Sequence, residues 1–276
     1  MVTWRATGAS VQGALHVRHG VPNQDAINWS PREGSAPAAV MAVADGHGSN
    51  RCFRSKTGAA IAVAVGFDLL TGVITGGGGE EQAREWLPRR LADDWSEAIA
   101  ADLAHTPFSN AELGHLEDKE GPAARRELLA GPALAYGTTL LLAGVNQRGV
   151  FVLQVGDGDI LMVSGAGTVT RPLPADPHSV GNATASLARA SAGRDARVAW
   201  LPTAGERPAL VLAATDGYAN SFADDAGFLQ VGSDLLGIVR TEGLDRVAIE
   251  LAGWLGEASE LGSGDDISVA LIVAGE

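Results

Sequence analysis

Cysteine is almost missing from this sequence: its 276 residues contain one, Cys52. A single thiol forms no intramolecular disulfide and builds no thiolate zinc cluster. No catalytic-cysteine signature surrounds it, so it reads as a small, half-buried residue. Positive charge is also scarce. Twenty Lys and Arg face 33 Asp and Glu, a formal net charge of −13. Nucleic acids and anionic membrane surfaces are bound through a Lys/Arg surplus, so neither is an expected partner. The first ten residues carry Trp4 and Arg5 and lack the apolar core of a secretory signal. No apolar stretch approaches the roughly 20 residues of a membrane span. A soluble, monomeric, cytoplasmic protein is the expectation.

What is present suits a folded chain. Hydrophobic residues make up 46 % and charged residues 19 %, enough to bury a core. There is no internal repeat, and residues 1–276 read as one domain. Residues 76–79 are four glycines, a loop signal. Residues 165–207, rich in Ala, Gly, Pro and Ser, read as an irregular insertion resembling a flap. Apolar runs of strand length occupy 38–44, 138–145, 150–155, 160–163, 209–214 and 267–273. Gly156-Asp157-Gly158-Asp159 interrupts two of them and predicts a hairpin. Helical spacing covers 55–70, 80–103, 234–240 and 245–255, with Pro88 predicting a late start or a kink in the second. Hairpin-like strands with helices in paired insertions predict α+β: two central antiparallel sheets packed as a sandwich, helix pairs outside.

The chemistry lies where apolar strands end in aspartate. Residues 38–44 run into Asp45-Gly46-His47-Gly48, 209–215 into Asp216-Gly217, and 151–155 into Gly156-Asp157. Asp265-Asp266 opens 267–273, and Asp25 follows Asn23-Gln24. One such aspartate is ordinarily a turn former. Five, on strands lying side by side, can converge, and converging carboxylates repel unless protonated or bridged by a cation. Oxygen donors without thiolates select Mg²⁺ or Mn²⁺. Glycine after Asp45 lets the backbone approach, so the Gly46 carbonyl is a candidate ligand. Two ions together would activate a bridging water for in-line attack on phosphorus. His47, at the site edge, is placed to protonate the leaving oxygen. The hydroxyls of Gly137-Thr138-Thr139 are expected to be satisfied by neighbouring backbone as a buried strand begins.

In order along the chain, Asn23-Gln24-Asp25, Asp45-Gly46-His47-Gly48, Gly137-Thr138-Thr139, Gly156-Asp157, Thr215-Asp216-Gly217 and Asp265-Asp266 resemble the type 2C metal-dependent protein Ser/Thr phosphatase family. These matches span residues 8–274. The resemblance implies two central sheets with flanking helix pairs, and two Mn²⁺ or Mg²⁺ ions around a bridging water. Its substrate class is phosphorylated protein. Residue by residue, it implies Asp45, Asp216 and Asp265 as carboxylate ligands, with the Gly46 carbonyl. Asp25 matches an outer carboxylate of the metal site, Asp157 a residue of a third, weaker ion in bacterial members, and His47 the general acid.

Two departures stand out. The family usually carries an acid where Gln24 stands, and often an arginine that grips phosphate where Gly20 stands. The Gln-Asp variant also resembles a bacterial subgroup. Candidate replacements for the arginine are Arg18, His19 and His16, read as part of a strand, or Arg51, with Arg54 and Lys56. Alternatives to a phosphoprotein phosphatase are a silent phospho-binding module on the same scaffold and a small-molecule phosphatase.

Overall fold

The computed structural model describes residues 2–174, 185–203 and 207–275. In chain order its strands are β1 Trp4–Val11, β2 Ala26–Ser30, β3 Ala39–Ala44, β4 Leu140–Val145, β5 Gly149–Val155, β6 Asp159–Val163, β7 Val169–Thr170, β8 Arg197–Pro202, β9 Leu210–Ala214 and β10 Ile267–Ala274. Its helices are α1 Ala14–His19, α2 Ser55–Thr75, α3 Glu80–His105, α4 Asn110–Ala130, α5 Ala192–Asp195, α6 Asp216–Ala219, α7 Asp225–Glu242 and α8 Leu244–Leu261. Among the described residues the strands form two five-stranded antiparallel sheets, ordered β1-β10-β9-β6-β7 and β2-β3-β4-β5-β8.

The apolar runs follow from burial on both faces. Along β3, Val40, Ala42 and Ala44 pack toward α2 and α3, while Ala39, Met41 and Val43 enter the layer between the sheets. β9 alternates likewise: Leu210, Leu212 and Ala214 meet α7 and α8, while Val211 and Ala213 meet the other sheet. Such strands lose the polar alternation of half-exposed ones and read as continuous hydrophobic sequence. The result is four layers, helices–sheet–sheet–helices, as expected.

Four readings change. Gly156-Asp157-Gly158-Asp159 is not a hairpin: β5 pairs with β4 and β8, while β6 pairs with β9 and β7. The glycine-rich turn carries the chain from one sheet to the other. The 165–207 segment is not wholly irregular, since it contains β7 and α5 and ends in β8, an edge strand; residues 175–184 and 204–206 of that proposed flap lie outside the described residues. α3 begins at Glu80 and runs through Pro88. Finally, α2 is by length and composition apolar enough to cross a membrane. Here it buries Ala59, Ala62, Val63 and Leu70 against the sheet and α3.

Candidate metal-binding active site

The aspartates gather because five strand ends meet at one rim of the sandwich. Ala26 pairs with Ala44, so Asp25 and Asp45 extend from paired strand ends. Ala214 pairs with Val269 on one side and Asp159 on the other, which brings Asp216 beside the 265–268 entry to β10 and the 156–158 crossover. Thr215 N donates to Ser268 O at 3.0 Å, and Ser268 N donates to Thr215 Oγ1 at 2.9 Å.

The Asp45 turn is latched to the threonines before β4. Thr139 N and Thr138 Oγ1 donate to Asp45 O at 2.8 and 2.7 Å, and Asp45 N donates to Thr139 Oγ1 at 3.0 Å. His47 N donates to Gly137 O at 3.0 Å. These threonines serve the backbone, as read from sequence. A side chain at Gly46 would collide with the Gln24 and Ser55 carbonyls at 2.7 and 2.9 Å, and one at Gly217 with Asp266 O at 2.2 Å. Only glycine lets these loops close on one another.

The electrostatics show carboxylates forced together. Burial, then Asp25, Asp216 and Asp265, hold the Asp45 carboxyl well above the usual carboxylate range. Burial, then Asp157 and Asp265, raise Asp216, which hydrogen-bonds to Asp45. Asp25 is pushed up to about 8, chiefly by burial, with Asp266 and Asp265 adding to it and hydrogen bonds from Ser268 and Thr215 opposing it. Thr215 Oγ1 donates to Asp25 Oδ2 at 2.9 Å, while Asp25 Oδ1 is buried with no hydrogen-bond partner. Oxygen donors crowded to this degree, one of them orphaned, suit a hard divalent cation. Asp25, Asp45, Asp216 and Asp265 are the side chains that would hold it by drawing together, since as placed no three acidic, histidine or cysteine side chains among the described residues form a ready-made metal site.

The remaining site residues of the sequence separate. Asp265 is at the rim, its side chain 50 % exposed. Asp157 is exposed, close enough to act electrostatically on His47 and Asp216. His47 is lowered by burial, against the pull of Asp157 and with the push of Arg189. Burial also raises the Cys52 thiol, which fits a structural residue and not a nucleophile.

The proposed phosphate grips do not assemble. Residues 14–19 form α1 and not a strand; Arg18 is exposed and folds back on Ala14 O at 3.2 Å, and His19 is exposed at the helix end. Arg51 is held by Glu120 at 2.5 Å and Glu127 at 2.8 Å on α4. Arg54 is 10 % exposed and bound to Glu112, Thr106 O and the Tyr136 hydroxyl. Lys56 is exposed on α2.

Sequence reading named Asp266 in the Asp265-Asp266 pair without giving it a role, missed Arg189, and gave His16 no more than a place among the phosphate-grip candidates. Asp266 accepts from Gly13 N and Gln24 N, each at 2.7 Å, and so ties two loops to β10. His16 Nδ1 lies 2.9 Å from Asp266 Oδ1, and its Nε2 3.6 Å from Asp265 Oδ1. Arg189 follows Ser186 and Leu187, whose hydroxyl and N–H donate to Thr138 O at 3.3 and 2.9 Å. The Asp265-Asp266 motif does not reveal the clamp that Asp266 forms, and no local motif announces Arg189, because both depend on contacts between distant segments.

Solved structures share the fold. The catalytic domain of the Ser/Thr protein phosphatase PstP, crystallised with two manganese ions, is 17 % identical over 100 % of both chains, with a TM-score of 0.60. The Mycobacterium tuberculosis phosphatase PstP/Ppp is 16 % identical over 98 % of both chains, with a TM-score of 0.57. The Ser/Thr phosphatase Stp1 of Staphylococcus aureus is 14 % identical over 100 % of this chain and 96 % of its own, with a TM-score of 0.59. At these identities the likeness is one of fold. No curated protein sequence matches the chain. The protein phosphatase 2C family profile, however, matches residues 12–256, and the chain belongs to that family.

Proposed function

We propose that this protein hydrolyses phosphoserine and phosphothreonine in proteins, using Mn²⁺ or Mg²⁺ held by Asp45, Asp216, Asp265 and the Gly46 carbonyl, with Asp25 behind them. The observation that carries this reading is the buried carboxylate cluster around Asp45, whose repulsion a divalent cation relieves. PstP, which shares the fold, was crystallised with two manganese ions. When bound, such cations would supply positive charge to activate an attacking water and to offset charge on the phosphoryl oxygens.

The chain's own residues do the rest. The Thr138–Thr139 latch fixes the Asp45 turn, so the carboxylate is aimed before substrate arrives. His47 hands a proton to the leaving seryl or threonyl oxygen. Asp157 stands at the outer edge, where a third, weaker cation would bind. Arg189 supplies the phosphate-facing positive charge that Gly20 cannot. It is exposed, carried by a segment pinned to Thr138, and it is a positive charge that acts on His47.

The test is release of phosphate from p-nitrophenyl phosphate and a phosphothreonine peptide, with Mn²⁺ and with EDTA. Metal-dependent release, abolished in Asp216→Asn, supports the reading. Equal release with EDTA, or none under any metal, sinks it. A silent phospho-binding module would instead bind the peptide without turnover.

A further inference from the structure

Gln24 leaves the metal cluster one charge short of the family pattern, and its side-chain amide is engaged at the start of α2. Its Nε2 donates to Ser55 Oγ at 2.7 Å. A different residue stands against the Asp265 carboxylate. Helix α1 is fastened to the end of α8 by Ala14 N to Ser259 Oγ at 3.0 Å and to the loop before β10 by Leu15 N to Gly264 O at 2.9 Å. Ser259 Oγ in turn donates to Asp265 O at 2.9 Å. The next residue of the helix, His16, therefore has a fixed position relative to Asp265, with Nε2 3.6 Å from Oδ1.

We propose that His16 is a metal ligand: Nε2 joins Asp265 on one of the cations that the proposed function requires. Donors about 2.1 Å from an octahedral ion are about 3 Å apart when adjacent and about 4.2 Å apart when opposite. The observed 3.6 Å lies midway between these spacings, so a shift of about 0.6 Å lets both groups reach one ion. The far side of the ring has what a ligating imidazole uses. Nδ1 is 2.9 Å from Asp266 Oδ1, and the Asp266 side chain is 3 % exposed and clamped by two backbone N–H groups. Carboxylate–histidine–metal arrays fix the tautomer in this way.

The structure also shows an unmet need. Nδ1 is buried and not aligned for a hydrogen bond, and Asp25 Oδ1 is buried without a partner in the same cluster. A cation on Nε2 puts the proton on Nδ1, where a small ring rotation delivers it to Asp266. The substitution of an imidazole for a carboxylate has a chemical consequence. It softens an all-oxygen site and favours Mn²⁺ over Mg²⁺.

The inference rests on the metal-dependent reading above, and one experiment separates the two. Mn²⁺ is bound to the full chain and examined by electron spin echo envelope modulation, in unlabelled protein and in protein carrying ¹⁵N-histidine. A ¹⁴N coupling that becomes ¹⁵N on histidine labelling, and is lost in His16→Asn, is the expected result. Calorimetry should show affinity for one Mn²⁺ lowered about 10- to 100-fold in that variant, with Mg²⁺ affected less. Mn²⁺ bound without histidine coupling, or coupling unchanged in His16→Asn, overturns the His16 assignment and leaves the phosphatase reading intact. Failure of the chain to bind Mn²⁺ overturns both. Because His47 stands at the same site, His47→Asn is examined in parallel and should keep the coupling, and His16→Gln serves where His16→Asn does not fold; coupling lost in His47→Asn instead overturns the assignment.

Discussion

Gln24 Nε2 donates to Ser55 Oγ at 2.7 Å, so the glutamine side-chain amide anchors the first residue of α2. Its backbone N–H, by contrast, donates to Asp266 Oδ2 at 2.7 Å. Gln24→Ala removes the first bond and keeps the second. A half-buried hydrogen bond of this kind contributes about 1 kcal/mol. The expected outcome is a loss of about that size in urea unfolding, with Mn²⁺ affinity by calorimetry unchanged within about twofold, a difference of ~0.4 kcal/mol. A drop in affinity of about tenfold or more would show that Gln24 reaches the metal after all.

Arg189 is the proposed phosphate grip. Arg189→Ala should raise KM for a phosphothreonine peptide about tenfold, equivalent to about 1.4 kcal/mol of lost binding. Its kcat should change much less, because ground-state and transition-state phosphates lose the same contact. Arg189→Lys should recover part of the loss, since lysine keeps the charge without the two-pronged geometry. Parallel substitution of Arg51 should leave KM alone, since Arg51 is engaged by Glu120 and Glu127.

These contrasts show what the sequence could reveal. β3, β9 and β10 were legible because both their faces are buried, which writes unbroken apolar runs. β1, β2 and β8 are edge strands with mixed, partly exposed residues, and their patterns fade. The 156–159 turn was read as a hairpin because local turn chemistry does not say which sheet the next strand joins. α4 was not foreseen; it carries Gly121 and Pro122 at an internal break, and without it Arg51 looked unpaired. The aspartates were recognisable because each sits at the end of a strand. His16 was harder to place because its position beside Asp265 depends on α1 docking against α8 and the loop before β10.

His47 as proton donor predicts a dependence on the leaving group. A threonyl alkoxide is a poor leaving group and needs its proton, whereas p-nitrophenolate departs readily without one. His47→Asn should lower kcat about 10²- to 10³-fold on a phosphothreonine peptide, within the usual range for general acid catalysis, and less than about tenfold on p-nitrophenyl phosphate. Steady-state kinetics on both substrates measure this directly. Equal losses would mean that the ring positions substrate and does not transfer the proton.

The Arg54–Glu112 pair predicts how stability depends on pH away from the metal site. Arg54 Nε and Nη2 donate to the two Glu112 oxygens at 2.8 and 3.1 Å, and Arg54 also binds the Tyr136 hydroxyl at 2.7 Å. Arg54 first, helped by the Ser109 backbone and hydroxyl, pulls the Glu112 carboxyl down to about 2. In the unfolded chain a glutamate titrates near ~4.3. A depressed folded value means that the stabilisation is complete above the unfolded value. It is then lost as pH falls toward about 2, because the proton must first break the pair. The Glu112 side chain is 29 % exposed, so solvent screening reduces its contribution to about 1 kcal/mol. Urea unfolding of the parent and of Glu112→Gln at about pH 7 and about pH 3 should show the gap between them narrowing at the lower pH. A gap that stays constant or widens on acidification would mean that Glu112 contributes through packing and its cap of α4, and not through its charge.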